Sequence, residues 1–105
     1  MQKPHYLSLA LDDLKGIVRY IANELEAPKA TENFIIKIDK EVNKLTKNPY
    51  RCHVYITAEK LKHEYRVLHV NNYSIFYVAE NEKIEIHRVI YSKRNIQQLL
   101  SEQIK

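Results

Sequence analysis

The sequence predicts an α+β fold: a two-helix hairpin packed on one face of a small, mainly antiparallel β-sheet, with a short C-terminal helix. Three observations carry this prediction. Between about residues 10 and 47, apolar side chains recur with a helical period, interrupted once near Pro28. From Glu64 to Arg94 the text EYRVLHV-NN-YSIFYVA-ENEK-IEIHRVIYSKR reads as three strands joined by two tight turns, because β-branched and aromatic side chains pack well on a pleated surface. A chain of 105 residues with one Gly and three Pro has room for a single core and is built mostly of regular elements, so residues 1–105 are read as one domain.

Taken in order, His5 to Leu9 is a candidate first strand, with Pro4 tolerated at its start. Leu14, Ile17, Val18, Ile21 and Leu25 then form one helical stripe, with Ser8 as a possible N-cap. Asp12 and Asp13 sit in the first turn, where the helix dipole favours them. Gly16 lies inside this helix at a cost of about 1 kcal/mol relative to Ala, so close approach of a second helix is expected there. Glu26 to Lys29 connects to a second helix opened by Pro28. That helix carries Phe34, Ile38, Val42 and Leu45 on one stripe, widened by Ile35, and ends at Asn48-Pro49 because a residue before proline is pushed out of the α region. Cys52 to Thr57 reads as strand or loop, and Ala58 to Lys62 as an exposed polar stretch.

In the strands, alternation puts Tyr65, Val67 and His69 opposite Arg66, Leu68 and Val70. It puts Tyr73, Ile75 and Tyr77 opposite Ser74, Phe76 and Val78, and Ile84, Ile86, Arg88 and Ile90 opposite Glu85, His87, Val89 and Tyr91. Neither face is purely polar. Two helices cover one face of a small sheet, so the apolar residues of the second face are expected to stay wet unless another chain covers them. Ile96, Leu99 and Leu100 outline the short C-terminal helix.

Composition excludes several classes. Cys52 is the only cysteine, which rules out an intramolecular disulfide or a cysteine-rich metal site and suits a reducing compartment. One Gly leaves no phosphate-cradling loop, and no zincin or EF-hand spacing occurs. The five histidines are not spaced as a local metal cluster, and no metal or cofactor is expected. No apolar run approaches the roughly 20 residues of a membrane span, and no basic segment leads into an apolar one near the start, so the chain reads as cytoplasmic. The first 46 residues balance seven Lys or Arg against seven acids, whereas residues 47–105 carry ten against six. The whole excess of positive charge therefore falls in the half that holds the strands, as suits a polyanion or an acidic protein partner.

Lys60, Lys62, Arg66, Arg88, Lys93 and Arg94 are interleaved with Tyr65, Tyr73, Tyr77 and Tyr91. Guanidinium groups bind phosphate bidentately and tyrosine rings stack on bases, a combination that suits single-stranded RNA. The alternative is a sheet with a solvated charged edge. If the group is catalytic, the chemistry it fits is RNA cleavage by the ribose 2′-OH. That reaction needs a base for the hydroxyl, cations for the phosphorane-like transition state and an acid for the leaving 5′ oxygen.

The helical hairpin, the Asn-Pro that closes it, YRVLHVNNYSIFYVAE and the ending IEIHRVIYSKRNIQQLL resemble the RelE/ParE superfamily of toxins from bacterial type II toxin-antitoxin systems. The resemblance implies a cognate antitoxin that wraps and neutralises the toxin. RelE-like members cleave mRNA in the ribosomal A site, whereas ParE-like members inhibit DNA gyrase without nuclease activity. Arg66 matches the phosphate-binding arginine of RelE-like enzymes, and Arg88 or Arg94 a second one. Tyr91 lies near a functional His or Tyr, His87 is a nearby proton-transfer candidate, and Lys60 and Lys62 fall where RelE-like proteins carry basic residues. Glu59 and Glu64 are candidates for a base. The ending I-Y-S-K-R-N fits the ParE-like pattern equally well.

The first expectation is accordingly a ribosome-dependent, metal-independent mRNA endoribonuclease that arrests growth. Arg66, His87, Tyr91 and Arg94 would be catalytic, with Lys60, Lys62, Arg88 and Lys93 binding RNA. The second is a ParE-like, non-enzymatic inhibitor of DNA gyrase, and the third an inactive, purely protein-binding relative.

Overall fold

The structure is a computed structural model and describes residues 3–24, 28–57, 61–94, 96, 99 and 100. Strand β1 (His5–Tyr6) leads into helix α1 (Ser8–Arg19), and helix α2 (Pro28–Asn43) completes the hairpin. Strands β2 (Arg66–Val70), β3 (Tyr73–Glu80) and β4 (Lys83–Tyr91) follow as a meander. The sheet order is β1-β4-β3-β2, with β1 parallel to β4 and the remaining pairs antiparallel. This is the expected α+β architecture.

α1 passes into a π-helical turn over Tyr20–Glu24. Leu25 and the Glu26–Ala27 part of the connection lie outside the described residues. Pro28 is the first residue of α2, where its missing N–H costs nothing. α2 tightens into a 3₁₀ turn at Lys44–Thr46, where Thr46 Oγ1 donates to the Asn43 carbonyl at 2.9 Å. Its stripe of Phe34, Ile38, Val42 and Leu45 is buried against Leu68, Val70, Ile75, Tyr77, Ile84, Ile86 and Val89 of the sheet. Full burial of each such side chain contributes about 1.5–3 kcal/mol. Tyr77 fastens the loop after α2 by donating to the Pro49 carbonyl at 2.7 Å.

Four expectations need correction. Ser8 is the first helical residue, not the cap, so Asp12 and Asp13 fall in the second turn and the first turn holds no acid; Leu7 occupies the N-cap position with extended backbone and no side-chain bond, since a leucine has no oxygen to offer. Gly16 is not a site of close helix approach, because a Cβ built there meets nothing within 4 Å. The regular alternation of β4 fails: Phe76 faces Arg88 while Tyr77 faces Ile86, so His87 is an extra, bulged residue. The bulge puts Val89 on the helix-facing side with Ile84 and Ile86, and Ile90 on the other.

The fourth correction concerns the second face of the sheet, which needs no other chain to cover its centre. Tyr65, Phe76, Val78 and Ile90 are covered by the protein's own Tyr55, Leu61, Ile96, Leu99 and Leu100. The covering segments lie on both sides of the meander in sequence, so each face of the central strands meets apolar side chains. Residues 53–55 run antiparallel beside β2 as a short bridge. Tyr55 N–H donates to the Tyr65 carbonyl at 2.7 Å, and Val67 N–H to the His53 carbonyl at 3.0 Å. The predicted C-terminal helix is described only at Ile96, Leu99 and Leu100; its other residues lie outside the described set. Among the described residues no helix is long and apolar enough to cross a membrane.

Candidate functional site

The expected catalytic residues separate into three environments. Arg66 pairs across β3 with Tyr77, which belongs to the helix-facing core. Its guanidinium donates to the carbonyls of Cys52 at 2.8 Å and Tyr50 at 3.3 Å. It also lies 3.6 Å from Glu64 and stacks over the Tyr50 ring at 5.0 Å. Arg66 thus ties the segment after α2 to β2. Tyr91 pairs with Tyr73, four residues farther along β3 and across a strand, which separates it from Arg66 by about 13 Å along the sheet and about 10 Å across it.

His87 belongs to the opposite face. Its side chain is only 6% exposed, packed edge-on against the rings of Tyr65 and His63. The Glu85 carboxylate only accepts, so the 3.4 Å contact to Nε2 puts the ring proton there and leaves Nδ1 to accept from the Tyr65 hydroxyl at 3.2 Å. Burial lowers the imidazole pKa from its ordinary value, against a smaller upward pull from Glu85. Burial raises the Tyr65 phenol in turn. The result is a neutral imidazole held between the Tyr65 hydroxyl and the Glu85 carboxylate beneath the second face.

Arg88, Tyr91 and Arg94 do come together. They line a cleft of about 700 Å³ between α1 and the far end of β4. One wall is formed by Asp12 and Gly16 of α1 and by Tyr20, which opens the π-helical turn, spaced by four and therefore on one helix face. The other wall is the end of β4 with Tyr73 and Asn72. The floor is pinned by Asp13. One carboxylate oxygen accepts from Arg88 Nε at 2.7 Å and from Val89 N–H at 2.9 Å, and the other accepts from Arg88 Nη2 at 2.9 Å. Tyr91 rests on Tyr73 with ring centroids 5.8 Å apart, and Tyr73 on Phe34 at 5.1 Å. Lys93, Arg94 and Lys62 are exposed, whereas Lys60 and Glu59 lie outside the described residues.

A second concavity, about 610 Å³ and mostly apolar, runs between α1 and α2. Leu11, Leu14, Val18, Ile35 and Ile36 line it, with Lys15, Arg19 and one acid, Asp39, beside them. Ile36 remains 58% exposed and Ile35 49%, a contiguous apolar surface of the kind that marks an interaction site. Among the described residues no group of three or more His, Cys, Asp or Glu side chains gathers as a metal site requires.

Sequence reasoning missed Asp13, Gly16 and Tyr20 as members of the cleft. Asp13 and Arg88 stand 75 positions apart, and nothing between them carries a local signal of the pairing. The spacing of Asp12, Gly16 and Tyr20 was present in the sequence, but a polar stripe reads as solvent-facing until its neighbour is known.

A family model described as ParE toxin of type II toxin-antitoxin system, parDE, matches residues 5–96. No curated protein matches the sequence significantly. Among solved structures, the chromosomal ParDE toxin-antitoxin system from P. aeruginosa contains a chain that superimposes with a TM-score of 0.71 at 17% identity, covering 89% of this chain and 98% of that one. A chain of the RelB-RelE antitoxin-toxin complex from Methanococcus jannaschii matches with a TM-score of 0.46 at 17% identity, covering 96% and 99%.

Proposed function

The chain belongs to the family of ParE toxins of type II toxin-antitoxin systems, and from that membership we propose that it arrests growth by binding DNA gyrase without cutting RNA. The supporting observation is the state of the groups a metal-free ribonuclease centre would need. Arg66 is bound to backbone carbonyls, Arg88 to Asp13, and His87 is buried on the opposite face from Arg66. Cleavage of a phosphodiester requires cations and proton carriers converging within hydrogen-bond reach of one phosphate, and these groups do not converge.

The antitoxin is the second partner in this reading. The groove between α1 and α2 suits an amphipathic segment of it: exposed Leu11, Ile35 and Ile36 supply the apolar contact, and Lys15 and Arg19 would meet acidic residues along its edge.

One observation favours the ribonuclease alternative: Tyr91, Lys93 and Arg94 are exposed together at the end of β4, the end at which the resemblance puts functional residues. Purified toxin in a gyrase supercoiling assay, run beside mapping of mRNA ends on translating ribosomes, separates the two. We expect inhibited supercoiling and intact mRNA. Unaffected supercoiling at concentrations that arrest growth, or A-site cuts that Arg66→Ala suppresses, would reverse the assignment.

A further inference from the structure

We infer that the cleft between α1 and the end of β4 is the surface that engages the target, and that it takes a protein loop presenting a large apolar or aromatic side chain beside a carboxylate. The inference rests on the reading of the chain as a toxin that acts by binding a protein. Four features of the cleft converge on it.

First, Gly16 has no packing reason to be glycine. Nothing lies within 4 Å of its missing Cβ, yet glycine at a helical position costs about 1 kcal/mol relative to Ala. What the absent side chain provides is open space in the wall of the cleft. Second, the helix changes to a π-helical turn at Tyr20, one turn after Gly16; such turns are frequent at functional sites. Tyr20 is left 53% exposed beside the cleft.

Third, Tyr20, Tyr73 and Tyr91 line one concavity with Arg94. Tyrosine and arginine are the residues that dominate binding energy at protein interfaces, since they bury large area around a polar tip. Fourth, the charge is balanced. The Arg88 and Asp13 charges are matched in the floor, and Asp12 accompanies Arg94 on the lining. Two carboxylates against two guanidinium groups leave the lining with no net positive charge to hold a phosphate backbone, whereas a single exposed guanidinium next to tyrosine rings accepts one carboxylate adjoining an apolar side chain. α1 presents its other side, Leu14 and Val18, to the interhelical groove, so target and antitoxin would hold opposite faces of one helix.

The test uses full-length toxin with Gly16→Gln, which fills the cleft with a better helix former, and Tyr20→Ala, which removes an exposed ring. Melting temperature, growth arrest on expression, gyrase inhibition and binding of the cognate antitoxin are read for each. We expect both variants to fold, to bind antitoxin as the parent does, and to lose at least tenfold in growth arrest and in gyrase inhibition. Full toxicity in both folded variants overturns the inference. Loss of mRNA cleavage, with gyrase untouched by the parent, assigns the cleft to RNA and also overturns it. If the parent arrests growth without touching gyrase or RNA and both variants lose toxicity, the gyrase assignment fails while the cleft stands as the target surface.

Discussion

Replacing Asp13 with Ala tests the contact that joins α1 to β4. The carboxylate accepts three hydrogen bonds, two from Arg88 at 2.7 and 2.9 Å and one from Val89 N–H at 2.9 Å. The two side chains are 13% and 16% exposed, so water compensates only partly for the lost bonds. Hydrogen bonds to charged groups contribute about 1.5–3 kcal/mol each, and members of one network do not add in full. Three bonds at the lower end would come to about 4.5 kcal/mol, and discounting for the shared network leaves a loss of about 3 kcal/mol, in keeping with removal of one partner from a largely buried ion pair. For a domain of this size that corresponds to a drop in Tm of about 12–20 °C. Asp13→Asn retains an oxygen for Val89 N–H but turns an amide donor toward the guanidinium, so about 2 kcal/mol is expected. Asp12→Ala, at the exposed neighbouring position, should stay within about 0.5 kcal/mol. Urea titrations followed by far-ultraviolet circular dichroism measure all three. A loss below about 1 kcal/mol for Asp13→Ala, with an unchanged denaturant slope, would mean that the ion pair does not hold α1 to the sheet.

Three further outcomes follow from other parts of the structure. Burial keeps His87 neutral below the ordinary histidine pKa of 6.5, so the folded chain binds fewer protons than the unfolded one as pH falls through that value. Stability is therefore full above about pH 6.5 and declines below it until the folded pKa is passed; His87→Gln should flatten this slope in urea midpoints taken from pH 7.5 to 5, and identical slopes would contradict the assignment. Leu100 is fully buried on the second face, so Leu100→Ala should cost about 2–5 kcal/mol, and a melting temperature within a degree of the parent would remove the C-terminal segment from the core. Asn81 and Glu82 both have positive φ, 52° and 60°, at the tip of the β3–β4 hairpin; Asn-Gly is the preferred pair for such a turn, so Glu82→Gly should raise stability by about 0.5–1 kcal/mol in thermal melts.

The helical hairpin and the meander were legible because each rests on local regularity. Phe34, Ile38, Val42 and Leu45 line one side of a helix wherever that helix docks, and Tyr73, Ile75 and Tyr77 share a face of any strand of that register. The β4 alternation was misread because one bulged residue, His87, reverses the faces on its two sides. Its only trace in the sequence is that Val89 and Ile90 are both apolar, which strict alternation does not require. The second face was misread because the segments that cover it, around Tyr55 and Leu61 and around Leu100, flank the meander and show no regular period of their own.

The candidate site divides in the same way. Residue types and charge balance pointed to the end of β4, and Arg88, Tyr91 and Arg94 do meet there. Which cations face outward was not decided by residue type: Arg66 is held by the Cys52 and Tyr50 carbonyls and Arg88 by Asp13, while Arg94 is exposed. A guanidinium's availability depends on what acceptor the fold brings to it. Gly16 looked like a packing glycine by its position in a helix, and proved to be an opening in a cleft wall once β4 was placed beside it. Periodicity and composition are properties of neighbours in the chain, so sequence carried the elements and the family. Partners 75 residues apart, a one-residue bulge and the side of a helix left uncovered belong to the assembled fold, where long-range contacts select among side chains that are chemically alike.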